Sequence, residues 1–268
     1  MAGISMAMAN GTVIESIPLM MNRAATLDLR ERAMDEPAPA WLSALLHTTD
    51  SAYPIGGFAH SGGLEGMVSL EQVRSPEDLQ RFLQHEITAT LKGVELPLLY
   101  QSWLAASAED EGVLILLDQV SEAVRFAAEQ RQASRRLGTQ RWSLLGKLHS
   151  TRLDDQQRAL FDQFSAVLPH KHLCVVAGIE AALLGLPVSA AMVALSHQTV
   201  MMVAQAAMKI MRIGQTTVQT LVAEMALLYP GLISHAKALD LDEVGTCLPS
   251  LDIASAWHET ANARMFLS

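Results

Sequence analysis

The spacing of apolar residues is the feature that most constrains the fold of this chain. From residue 41 onward they recur at intervals of three and four, as in Leu79, Phe82, Leu83 and Ile87, which places them on one face of a helix. No stretch shows the alternation expected of a half-buried strand. Aromatic residues make up only 5% of the chain, and Ala, Leu and 14 Met supply much of the apolar content. Since these are helix formers, we predict an all-α fold.

Capping signals divide this pattern into separate helices. Ser75-Pro76-Glu77-Asp78 combines an N-cap residue, a proline in the first turn and two acids at the positive helix end, and it predicts a helix to about Lys92. The pattern predicts further helices near residues 96–108, 113–131, 133–150, 154–167, 171–185, 188–210, 215–228 and 230–241. Because the connections are short, we expect a single irregular bundle of about ten helices with mostly antiparallel neighbours.

The chain is predicted to have three parts. Residues 1–40 are rich in Met and end in a proline-punctuated stretch, so we expect a mobile N-terminal extension, and they lack the pattern of a secretory signal. Residues 41–248 would form the helical body. Residues 249–268 would form a C-terminal docking tail, because their apolar residues stand among polar ones and should pack on the body or on a partner.

Charge, hydropathy and cysteine content limit the possible partners and the cellular compartment. With 28 acidic and 19 basic residues the formal charge is −9, which argues against a nucleic-acid partner. The one membrane candidate, residues 173–195, contains Glu180 and Gly185-Leu186-Pro187, so two buried helices are favoured over a membrane span. Cys174 and Cys247 stand far apart without a disulfide framework, which favours a cytoplasmic protein.

The segment from Asp50 to Glu65 is the most unusual, because four glycines bracket Phe58 and His60. Its glycines allow positive φ or close approach to another surface. It has neither a phosphate-loop pattern nor the Gly-x-Ser-x-Gly of a nucleophile elbow. A turn and a binding surface are both compatible with this pattern. We expect a β-branched residue at Gly57 to be damaging, because its Cβ would enter a crowded site.

Two clusters of residues could have either a binding role or a purely structural one. His170, His172 and Cys174 could offer ligands to zinc or nickel, but no further partner is identifiable, so a structural role is favoured and no metal site is predicted. Arg131, Arg135 and Arg136, with Glu129, look like a charged helix face. Such faces are usually solvated, although arginine is also enriched at interfaces.

At these residues the chain resembles the UreF family of urease accessory proteins. Residues 51–65 match that family's N-terminal signature almost position for position. Further similar blocks are Glu129 with Ala133-Ser134 and Leu137-Gly138, His172 to Gly178, Ile213 to Gln219, and the closing Ser255 to Thr260 with Arg264 to Ser268. The chain departs from the family at several positions, and Leu267 in place of the penultimate arginine matters most. The resemblance spans about residues 42–268.

The resemblance implies a homodimeric all-α protein that is not an enzyme. It would bind the UreD (or UreH) accessory protein and the GTPase UreG, and would regulate GTP-dependent nickel insertion into apo-urease. It would hold no stable cofactor, with nickel passing in transit. The implied partner-binding residues are Pro54, Gly56, Gly57, Phe58, His60, Ser61, Glu65, Gly214, Gln215, Gln219, His258, Glu259, Arg264, Phe266 and Ser268. The alternatives are a general helical adaptor and a helical enzyme with a site around His60.

Overall fold

The computed structural model describes residues 38–267, apart from the side chains of residues 149 and 150. It confirms the all-α prediction, since no strand occurs in this range. The helices are α1 (Ala40–Thr49), α2 (Leu64–Ser69), α3 (Pro76–Phe82), α4 (Thr88–Thr90), α5 (Leu96–Ser107), α6 (Glu111–Ala123), α7 (Ala128–Arg152), α8 (Asp155–Val167), α9 (Leu173–Leu183), α10 (Val188–Ile210), α11 (Gln215–Ala226), α12 (Tyr229–Ala238) and α13 (Pro249–Glu259). The predicted mobile extension lies outside the described residues, apart from residues 38–40.

The helix start predicted at Ser75 is confirmed. The Ser75 hydroxyl accepts a hydrogen bond from the Asp78 amide at 3.2 Å, and the Asp78 carboxylate accepts one from the Ser75 amide at 3.0 Å. Asp154 and Gln157 form the same reciprocal pair at the start of α8. Each pair satisfies amides that a helix start would otherwise leave without a partner.

Two boundary predictions are wrong. The helices expected at 76–92 and 96–108 form one continuous helical run, which passes through π-helical turns at Leu83–Ile87 and Leu91–Glu95. The break expected near residue 132 falls instead at residues 124–127. The Arg125 guanidinium donates to the Ser121 carbonyl, and Arg131 donates to the carbonyls of Arg125 and Phe126 at 2.7 Å. Because arginine side chains satisfy these carbonyls, the helix can end there.

Helix α9 lies in the middle of the core and packs most extensively against α5 and α7. All but two of its residues are buried. A Cβ built on Gly178 would lie 2.4 Å from the Leu99 carbonyl oxygen, so glycine allows the backbones of α9 and α5 to touch. The chain turns at Gly185, with φ of 65°, and α10 begins directly after Pro187. The predicted turn between two helices at Gly-Leu-Pro is therefore confirmed; α9 is buried, whereas α10 buries only one side.

A buried carboxylate fixes the entry into α9. Asp118 on α6 is fully buried and accepts hydrogen bonds from the backbone amides of His170, Lys171 and His172, at 2.7, 2.9 and 2.9 Å. These amides precede the first turn of α9, where a negative charge is favoured by the helix dipole. Asp118 therefore joins α6 to the start of the central helix. Among the described residues, no helix is long and apolar enough to cross a membrane.

We predict that Gly178→Ala lowers the free energy of unfolding by about 1 to 3 kcal/mol, because the new methyl group would force α9 away from α5. Gly231→Ala is the matched control, since a Cβ at Gly231 on α12 meets nothing within 4 Å. It should be neutral, or stabilising by up to about 1 kcal/mol. Urea unfolding followed by circular dichroism measures both, and equal midpoints for the two variants would contradict the close approach.

Candidate functional site

A buried histidine joins two acidic side chains from distant parts of the chain. His258 on α13 is 2% exposed. Its Nδ1 lies 2.9 Å from Glu129 Oε1 on α7, and its Nε2 lies 3.0 Å from Glu65 Oε2 on α2. The Arg264 guanidinium lies 3.5 Å from Glu129 Oε1. The two carboxylates thus face one imidazole and one guanidinium.

The Glu65 carboxylate also holds the main chain after α13. It accepts hydrogen bonds from the amides of Met265 at 2.7 Å and Phe266 at 2.8 Å. The next amide, that of Leu267, donates to the Ala59 carbonyl at 2.7 Å. The C-terminal tail is therefore held against the glycine-rich segment through side-chain and backbone contacts. We call Glu65, Glu129, His258 and Arg264 the carboxylate clamp.

One glycine just before α2 and one within it allow α13 to come close enough for these bonds. A Cβ on Gly66 would lie 2.5 Å from the Ala254 carbonyl oxygen, and one on Gly63, with φ of 86°, would lie 2.4 Å from the Leu251 side chain. A larger residue at Gly66 would push α13 outward, whereas one at Gly63 would displace the Leu251 side chain and would be strained by the positive φ. Part of the predicted docking tail thus packs on the body of its own chain.

The ordered tail leaves apolar side chains facing outward. Phe266 is buried, and the ammonium of Lys209 lies 5.4 Å from the centre of its ring. The exposed large apolar residues of the tail and of the glycine-rich segment are Phe58, Ile253, Trp257, Met265 and Leu267, and we call them the tail surface. Exposed apolar groups close to an ordered backbone are typical of a surface that binds another protein.

The glycine-rich segment differs from expectation at Gly57. A Cβ there meets nothing within 4 Å, so the expected crowding is wrong. Gly56 has φ of 84° and is the position that requires glycine in this turn. Pro54 is exposed, as is Phe58, whereas His60 and Ser61 are buried.

The remaining predicted site residues divide by position. Gly214, Gln215 and Gln219 are exposed at the start of α11, and no hydrogen bond or ion pair between described residues joins them to the carboxylate clamp. Glu259 is exposed at the end of α13, and Ser268 lies outside the described residues. The structure therefore brings together Glu65, His258, Arg264 and Phe266 from the predicted set.

Glu129 is a member of the site that the sequence pattern does not reveal. The sequence predicts that Glu129 lies on a charged helix face, and such faces are usually solvated. In the structure its side chain is only 6% exposed and contacts both His258 and Arg264. Arg131 and Arg135 contact Glu122 instead, at 3.5 and 3.6 Å. The available signal was the presence of Glu129 in one of the blocks that resemble the family.

Comparison with known proteins agrees with the resemblance in these blocks. The family model described as UreF matches residues 73–226, which is more than half of the chain. The chain belongs to the UreF family. Three relatives carry the name urease accessory protein UreF. The protein of Nostoc sp. (strain PCC 7120) is 29% identical, and the match covers 84% of this chain and 94% of the relative. The protein of Pseudomonas putida (strain W619) is 30% identical, and the match covers 85% of this chain and 97% of the relative. The protein of Paenarthrobacter aurescens (strain TC1) is 31% identical, and the match covers 84% of this chain and 97% of the relative.

In this UreF-family chain, the His170 to Cys174 cluster is tied into the core. The Cys174 thiol is buried beside Ser121 Oγ at 3.4 Å, and burial, with a smaller effect of Glu95, raises its pKa to about 12. His172 Nε2 lies 2.9 Å from Glu122, and burial lowers the pKa of His172 to about 2. Across residues 38–267, no group of three or more His, Cys, Asp or Glu side chains could hold a metal ion.

Cysteine reactivity tests this burial. At pH 8 a pKa near 12 leaves roughly one Cys174 thiol in 10,000 ionised, whereas Cys247 is exposed. We expect Ellman's reagent to label one thiol per native chain and two after unfolding. Cys247→Ser should leave no rapidly labelled thiol, and rapid labelling of that native variant would show that Cys174 is accessible.

Hydrogen exchange tests the carboxylate clamp. We predict that Glu65→Ala speeds exchange of the Met265 and Phe266 amides by at least about tenfold, because a bond to a charged acceptor contributes about 1.5 to 3 kcal/mol. Glu71→Ala is the control, since Glu71 is an exposed acid whose ion pair is with Arg74, three residues away. Unchanged exchange in Glu65→Ala would mean that the tail is held by other contacts.

Proposed function

We propose that this UreF-family chain is a cytoplasmic scaffold for the assembly that delivers nickel to apo-urease. As a homodimer it would bind a UreD/UreH-type accessory protein and a UreG-type GTPase, and would regulate GTP-dependent nickel insertion. Family membership supports a role in urease maturation, since the matching relatives are named urease accessory proteins. The relatives' names also favour a non-enzymatic protein over a helical enzyme.

The observation that carries the partner assignment is the tail surface. Its exposed apolar side chains stand on a backbone that the carboxylate clamp holds in one place. A preordered surface binds with a smaller loss of conformational entropy than a segment that must order on binding. We assign the tail surface, with Phe58 from the glycine-rich segment, to the UreD/UreH-type partner.

The exposed start of α11 is a second candidate contact. Gly214, Gln215 and Gln219 offer polar groups to solvent at a helix N-terminus. No hydrogen bond between described residues joins this position to the carboxylate clamp, so it suits a different partner. We assign it to the GTPase, whose hydrolysis a scaffold can regulate by binding two of its conformations with different affinity.

The properties of His60 favour a scaffold over an enzyme. Its side chain is 3% exposed, and burial, with a smaller effect of Arg136, lowers its pKa to about 4. Ser61 beside it is fully buried. A pKa this far below 7 makes His60 a weak general base at neutral pH. Loss of a hydrolytic activity of the purified chain in His60→Ala would reverse this assignment.

Nickel is the cargo of the proposed assembly and should be held weakly by this chain. A metal in transit must leave its ligands, so scattered histidines and carboxylates suit the task better than a site with four ligands. We expect equilibrium dialysis of the isolated chain to show no tight stoichiometric nickel. A tight site with one nickel per chain would contradict the transit role.

Coexpression with the UreD and UreG proteins of the same source tests the scaffold. We expect size-exclusion chromatography with light scattering to give a complex that contains two copies of this chain. A chain that elutes without either partner would contradict the proposal and would favour a general helical adaptor.

Exposed single residues test the tail surface more cleanly than removal of the tail, because α13 buries Leu251 and Ala254 against the body. We predict that Met265→Asp weakens UreD binding by at least about tenfold, since a charge would be desolvated in an apolar contact. Leu227→Asp is the matched control, because Leu227 is 81% exposed and Met265 63%. Both variants should keep the wild-type melting temperature, and equal UreD binding by both would contradict the tail assignment.

A further inference from the structure

A separate cavity of about 160 Å³ lies behind the glycine-rich segment. Its lining includes residues from both π-helical turns, such as Ile87 and Glu95, together with Arg125, Asp252 and Leu248. π-Helical turns interrupt regular helices and frequently occur at functional sites. A dry engineered cavity of about 150 Å³ holds a benzene-sized molecule, so this space suits a small ligand or one side chain.

Most charges around the cavity are compensated. Glu95 pairs with Arg125, and Glu129 contacts His258 and Arg264. His60 also lines the cavity, and its lowered pKa keeps it neutral near pH 7. Each of these two acids therefore already has a basic partner.

Asp252 is the exception. It lies in the first turn of α13, is partly buried, and has a hydrogen bond with the Gln130 side chain. None of the ion pairs within residues 38–267 includes it. Burial raises the pKa of Asp252, which is the expected effect when a carboxylate loses water without gaining a cation. The cavity thus has one uncompensated negative charge.

The rest of the wall is suited to an aliphatic chain. Ile87, Val94, Val124 and Leu251 all line the same space as Asp252. Long basic side chains bury their methylene groups on apolar walls and place the charged end at a polar group. The charge and the walls therefore match one positively charged group on an apolar stem.

We propose that this cavity binds the side chain of a lysine or arginine that a partner polypeptide presents. The basic end pairs with Asp252, and the methylene groups lie along the apolar wall. This anchor is distinct from the tail surface, and its binding to the isolated chain does not depend on a role in urease maturation.

Side-chain analogues test the cavity with the full chain. The probes are n-butylammonium and N-butylguanidinium, and n-pentanol is the neutral control, with binding followed by the NMR shift of the Met202 methyl group that lines the cavity. We expect saturable binding of the cations and at least about tenfold weaker binding of pentanol. Equal affinities, or no saturable shift with any cation, would overturn the proposal.

Variants locate the charge that is responsible. Asp252→Asn should weaken binding of both cations at least about tenfold, while Asp252→Glu should retain most of it. Asp242→Asn is the control, because Asp242 is an exposed acid outside the cavity. Circular dichroism confirms the fold of each variant. If Asp252→Asn binds the probes as the wild type does, the cation site is elsewhere.

A last comparison identifies the source of the basic group. Nα-acetyl-lysine methylamide and Nα-acetyl-arginine methylamide carry a peptide backbone, whereas spermidine is a free polyamine. We expect the two amino-acid derivatives to bind at least as tightly as the butyl probes and with the same dependence on Asp252. If only spermidine binds in this way, the cavity is a polyamine site and the proposed polypeptide partner is wrong.

Discussion

The contact between Glu65 and the C-terminal tail is the interaction on which the proposed binding surface depends. One carboxylate accepts two backbone amides and faces the imidazole of His258, so α2, α13 and the last residues form one unit. Burying a carboxylate costs several kcal/mol unless hydrogen bonds and opposite charge compensate it. Here Glu65 accepts two backbone amides and contacts His258, and the Arg264 guanidinium lies beside Glu129.

Close packing of the backbones brings the members of the carboxylate clamp within hydrogen-bonding distance of one another. Gly66 and Gly63 allow α13 to lie directly on α2, and this distance sets the reach of Glu65 to His258. A methyl group at Gly66 would meet the Ala254 backbone and move the helices apart by more than a hydrogen bond tolerates. The same principle applies in the core, where Gly178 brings α9 against the Leu99 carbonyl. Small residues therefore determine where the charged residues can meet.

Local signals made much of the fold predictable, and long-range contacts explain what was missed. The Ser75 cap and the turn at Gly185 depend on neighbouring residues, so the sequence indicates them directly. The helix end near residue 124 depends on where the Arg125 side chain goes, which periodicity does not reveal. Likewise Glu129 looks like a surface acid until a histidine 129 residues later is placed beside it. The resemblance identified members of the site, but only the packing shows which of them touch.

Glu129 connects the two surfaces proposed for this chain. Its carboxylate holds His258 in the carboxylate clamp, and the residue is also among those that line the cavity with Asp252. A basic group in the cavity would attract Glu129 as well as Asp252, and so would compete with the imidazole and guanidinium that order the tail. A partner on the tail surface would favour the opposite arrangement, with Glu129 turned to His258. Because coupling between two binding events is reciprocal, each partner would then change the affinity for the other by the same factor. A single buried carboxylate would thus let a scaffold without an active site set the order in which its partners bind.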